Sequence, residues 1–129
     1  MREILFRGKP LAEDYFDKWV FGDLRHGGYY IGDAEVYIAN GSKGYLINQP
    51  VDPGTVGQFT GLIDKKGKQI FEGDVCRVTR PCVLAYGKIT FQHGCFWFVD
   101  DGPGGMLRLC DIKMNGFEIE VIGNIHDNP

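Results

Sequence analysis

Val56–Val78 reads VGQFTGLIDKKGKQIFEGDVCRV, and this stretch decides the fold. Val56, Gln58 and Thr60 alternate with Gly57, Phe59 and Gly61, a short extended run whose glycines on either side of Phe59 let another backbone come close. Asp64-Lys65-Lys66-Gly67 follows, with Asp at the first turn position and Gly at the last, a tight turn carrying exposed lysines. Gln69-Ile70-Phe71 then leads through Glu72-Gly73-Asp74 into the β-rich run Val75 to Thr79. Gly73 is expected to supply a backbone angle or a close approach that a side chain forbids, delivering the chain into the first strand of a barrel.

Downstream the alternation continues. Cys76 and Val78 share one face and Arg77 and Thr79 the other, which puts Cys76 in the core. Val83, Ala85, Ile89 and Phe91 lie opposite Tyr86, Lys88 and Thr90, with Gly87 expected to break the ladder where a barrel strand bends. His93-Gly94 supplies a hairpin, and Cys95–Val99 is apolar on both faces, as a covered central strand would be. Asp100–Gly105 is a loop, without the lysine-serine pair and following helix of a phosphate loop, and Met106–Leu109 a short strand. Asn115-Gly116 gives a two-residue hairpin signal before the final strand, where Phe117, Ile119 and Val121 alternate with Glu118 and Glu120. Five strands within Asp74–Ile125 fit a small barrel of the Src-homology-three-like kind, closed to leave no exposed edge.

Upstream, Glu3–Arg7 opens as a strand, Pro10–Lys18 suits a short helix, and Lys18–Phe21 reads as a strand ending at a Gly22-Asp23 turn. Tyr29–Ile31 suggests a further strand, and Glu35–Ile38 with Tyr45–Ile47 a hairpin about Asn40-Gly41. Pro50 and Pro53 flank a passage that joins a central strand poorly. The expectation is an all-β chain of two small subdomains, residues 1–55 and residues 56–129.

The 129 residues hold 43% hydrophobic and 13% aromatic side chains, enough for a true interior. A net charge of −3 disfavours broad attraction to a phosphate backbone, although a local basic patch is compatible with it. No apolar run reaches the roughly 18 residues of a membrane helix, and no basic stretch followed by an apolar one opens the chain. A soluble, unexported protein of a reducing cytoplasm, away from the membrane, is expected. Cys76, Cys82, Cys95 and Cys110 lack two-residue spacing, so free thiols, no metal and no cofactor are expected.

Arg2-Glu3-Ile4 with Phe6-Arg7, Val56–Leu62, Ile70–Val75 and Glu120–Ile125 stand in an order that resembles the YopX family, small proteins encoded mainly by bacteriophages and prophages. The resemblance implies a β-rich, two-part protein with a barrel-like C-terminal portion and a phage or prophage origin. It carries over no catalytic residue.

Chemistry is sparse. His93 and Cys95 are close in sequence, but neighbours along a strand point apart, and zinc would need Cys76, Cys95, Cys110 and His93 to converge from separate strands. No catalytic constellation is expected. Nucleic-acid binding has a physical case if Lys65, Lys66, Lys68, Arg77 and Lys88 gather near one end of the barrel, with Tyr86 or Trp97 to stack bases. The leading expectation is a non-catalytic accessory protein that binds an unknown host or phage protein, or itself as a homo-oligomer. Trp19, Phe21, Tyr29 and Tyr30 carry that contact, in a part too small to bury every large side chain alone.

Overall fold

The computed structural model describes residues 3–11, 19–26, 36–42, 45–102 and 104–126. They are mostly β, in two sheets, and the chain divides into two units, Met1–Phe59 and Thr60–Pro129.

In the first unit β1 (Phe6–Gly8), β2 (Val20–His26), β3 (Val36–Ser42), β4 (Tyr45–Val51) and the start of β5 (Gly57–Ile63) lie in the order β4-β3-β2-β1-β5. All the pairings are antiparallel. The sheet curls, because the residues after β1 return to the end of β4. Pro10 bridges Val51, Leu11 N donates to Pro50 O at 3.1 Å, and Asp52 N donates to Lys9 O at 2.9 Å. Pro50 is tolerated in β4 because that strand ends the row and its neighbour needs no N–H from it. A 3₁₀ turn, Pro53–Thr55, leads from β4 toward β5, capped by Asp52 accepting from Gly54 N. Tyr37, Ile38 and Ala39 are all buried, so β3 is covered on both faces.

Two turns expected from the sequence are not turns. β2 runs through Gly22-Asp23 to His26, with Gly22 opposite Phe6. Asn40-Gly41 lies inside the β3–β4 ladder, which continues to Ser42 opposite Tyr45. Local turn chemistry yields here to pairing on both sides of the strand. The helix expected over Pro10–Lys18 falls outside the described residues beyond Leu11, as does the strand expected at Tyr29–Ile31.

The second unit opens with a hairpin from β5 into β6 (Gln69–Phe71). β7 (Asp74–Arg80), β8 (Val83–Gln92), β9 (Cys95–Asp100), β10 (Met106–Arg108) and β11 (Glu118–Asn124) then form an antiparallel sheet in the order β10-β9-β8-β7-β11. Ile70, Cys76, Val78, Ile89, Phe98 and Ile119 meet Leu109 and Ile112 in one core. Cys76 is fully buried, as its parity predicts. Leu109 and Ile112 belong to a helix the sequence reading missed, α1 (Leu109–Met114), which takes Leu109 out of the expected strand. Asn115-Gly116 ends this helix instead of turning a hairpin, with Asn115 N donating to Asp111 O and Phe117 N to Ile112 O.

Gly73 sits where β6 turns into β7 with φ +92, a backbone that side-chain-bearing residues avoid. Its N–H donates to Ile89 O and its carbonyl accepts from Ile125 N, while Asp74 accepts from Phe71 N at 2.7 Å, so the conformation is fixed from several sides. Gly73→Val should therefore destabilise the protein by about 1–3 kcal/mol. A urea midpoint shift worth only a few tenths of a kcal/mol would show that the turn relaxes.

Candidate functional site

The sequence-predicted basic residues of the second unit do gather, but around acids. Arg77 lies opposite Glu120 in the β7–β11 ladder, and its Nη2 donates to Glu120 Oε1. Lys66 Nζ is 2.7 Å from Glu120 Oε2, and Lys65 Nζ is 3.7 Å from Glu118 Oε2 and 4.0 Å from Glu120 Oε1. The hydrogen bond from Lys66 is the largest influence on the Glu120 carboxyl. With Arg77 beside it, that bond holds the group below its ordinary value although burial pushes the other way. Lys68 is exposed on the same turn, and Lys88 is exposed on β8 opposite Val75 and Val99.

Asp64 holds this turn in place. Its carboxylate accepts from Lys66 N (2.9 Å), Lys68 N (2.8 Å) and, across to β11, Val121 N (3.0 Å). Lys65 N donates to Ile119 O at 2.9 Å, a second tie to the same strand. Burial is the largest influence on Asp64 and pushes its carboxyl up. The bonds from Val121, Lys68 and Lys66, together with the Lys68 charge, outweigh burial and hold the group below its ordinary value.

The sheet face turned away from the core carries a different surface. Arg77 stands opposite Tyr86, and Lys88, Val99 and Met106 follow one another across three strands. Leu84 (60% exposed), Tyr86 (44%) and Met106 (40%) are open to solvent here. Trp97, half-buried on β9, donates its indole N–H to Gln92 O.

In the first unit Trp19 is half-buried, with the Arg7 guanidinium 4.2 Å and the Lys9 ammonium 5.2 Å from its ring centre. Phe21 is exposed on β2, and Tyr29 and Tyr30 lie outside the described residues. The four cysteines are free thiols: Cys76 is buried, Cys95 partly so, and Cys82 and Cys110 are exposed. Among the described residues no group of three or more His, Cys, Asp and Glu side chains is placed to hold a metal ion. None of the described helices is long and apolar enough to cross a membrane.

Glu118, Glu120 and Asp64 are the site residues that sequence reasoning passed over. Glu118 and Glu120 share a strand face two residues apart, which is visible in the sequence. That the lysine turn reaches them depends on β11 lying at the sheet edge.

An antiparallel β protein of two units, with a charge-balanced turn laid along the edge of its second sheet, is the class these features define. The family model described as YopX protein matches residues 24–129, most of the chain, and the chain belongs to the YopX family. No curated protein and no solved structure matches it.

Proposed function

We propose that this is a non-catalytic accessory protein of a phage or prophage, acting in the cytoplasm of the bacterial host as a protein-binding or self-assembling β module. Its second unit is read as a barrel of the Src-homology-three-like kind. The placement of the last strand, β11, beside the first, β7, supports that reading, since it is the step that begins to wrap such a sheet. The observation that carries the binding role is the outward face with Leu84, Tyr86 and Met106 exposed beside Val99, because apolar side chains held in water across neighbouring strands mark a contact surface. Trp19 and Phe21 offer a second contact, although cations already cover the Trp19 ring.

The nucleic-acid alternative is weakened by the pairing of Lys65, Lys66 and Arg77 with Glu118 and Glu120. A phosphate would have to displace carboxylates already in place, so any affinity for DNA or RNA should be weak and lost at moderate salt. The test is an affinity pull-down from phage-infected host cells, with and without nuclease, using the wild type and a Leu84→Ser/Tyr86→Ser variant. A nuclease-resistant protein partner that the variant loses is the expected result. Nuclease-sensitive cargo held equally by both proteins would overturn the reading.

A further inference from the structure

Two opposite charges stand on the apolar outward face of the second sheet. Lys88 on β8 lies between Val75 of β7 and Val99 of β9. Asp101 comes two residues after Val99, and its N–H donates to Tyr86 O at 2.9 Å, which sets it beside Tyr86 at the end of the ladder. Lys88 and Asp101 are therefore diagonal neighbours across β8 and β9, both exposed, with Tyr86 and Val99 on the other diagonal. Among the described residues neither charge has an ion-pair partner, whereas Lys65, Lys66, Arg77 and Arg108 each lie against an acid. Apolar groups surround the two charges, with Leu84, Tyr86 and Met106 exposed and Val75 and Val99 half-buried.

We propose that this face is the interface of a two-fold dimer in which Lys88 of each copy meets Asp101 of the other. The inference rests on the binding-module reading and names a second copy of the chain as the partner. When two identical faces meet about a two-fold axis lying between them, each residue meets the one at the position reflected across that axis. A self-complementary face therefore needs opposite charges at reflected positions and apolar groups along the axis. The axis that exchanges Lys88 with Asp101 follows the other diagonal, past Tyr86 and Val99, and then passes Met106, which is opposite Val99 on β10. These apolar side chains meet their own counterparts and leave water together, while two ion pairs form on either side of them. Arg77, which is opposite Tyr86 on β7, also falls near the axis, but Glu120 already neutralises it, so two bare cations are not brought together. The patch is small, and the dimer it makes is a reversible one.

The experiment is sedimentation equilibrium on the full chain, on Lys88→Asp, on Asp101→Lys, and on an equimolar mixture of the two variants. The wild type should show a monomer–dimer equilibrium at micromolar concentrations. Each variant alone should self-associate about tenfold more weakly or worse, because both ion pairs become like-charge contacts. The mixture should recover dimer, since the new aspartate of one variant meets the new lysine of the other while the unchanged Asp101 and Lys88 pair as before. That recovery also shows that the variants are folded, because unfolded chains would not regain a dimer on mixing. A wild type that stays monomeric, an assembly that grows beyond two copies, variants that dimerise as well as the wild type, or a mixture that recovers nothing would overturn the inference. A monomeric wild type that still captures a protein from infected cells through Leu84 and Tyr86 would overturn the dimer and leave the binding-module reading standing.

Discussion

Phe98→Ala should lower the unfolding free energy by about 3–5 kcal/mol, the range for deleting a buried aromatic ring. Phe98 lies on β9 opposite Ile89 and Leu107, is 1% exposed, and packs in the core with Leu109 and Ile112 of α1. The upper part of that range is expected, because the cavity has little means of collapsing. β8 and β10 are hydrogen-bonded to β9 on either side, and Gly87, which lies against the ring, has no side chain to move in. A Cβ at Gly87 would stand 2.9 Å from Phe98 Cζ, so the ring fills the space that glycine leaves. Urea midpoints of the two proteins measure the loss, and a value below about 1 kcal/mol would mean that the second unit does not depend on this core.

Gly87 also marks where reading the sequence stops. Its place in an alternating run suggested a break in the ladder, yet Gly87 pairs with Cys76 on one side and Asp100 on the other. The glycine is needed because Val99 O lies 2.2 Å from where its Cβ would be, a constraint set by a strand that alternation alone cannot place. The parity of Cys76 and Val78, the turn at Asp64–Gly67 and the five strands after Asp74 were legible, since each follows from neighbours within a few residues. Asn115-Gly116 was misread for the opposite reason. The same dipeptide serves a hairpin or a helix end, and Leu109 and Ile112, three residues apart and both buried, decide between them only once the core is assembled. For the candidate site, the lysine turn was visible and its acids were visible, but their meeting was not. Lys65 and Glu118 are far apart in sequence, and only the position of β11 at the edge joins them.

Asp64→Ala should cost about 3 kcal/mol near neutral pH, because the N–H groups of Lys66, Lys68 and Val121 lose a charged acceptor together and the Val121 group is partly shielded from water. The pH dependence separates this from a packing effect. The Asp64 carboxyl is held below its ordinary value in the folded protein, so the unfolded chain takes up its proton first as pH falls. The contribution is therefore fully present above the unfolded value of about 3.9 and is lost as pH drops through the lower folded value. The difference between wild type and variant should be largest above about pH 5 and shrink as pH falls below the ordinary carboxylate range. Glu120 is shifted in the same direction and stays in both proteins, so each will lose some stability in acid. A difference that stays constant over that range would mean that the turn is held by the shape of the Asp64 side chain and not by its charge.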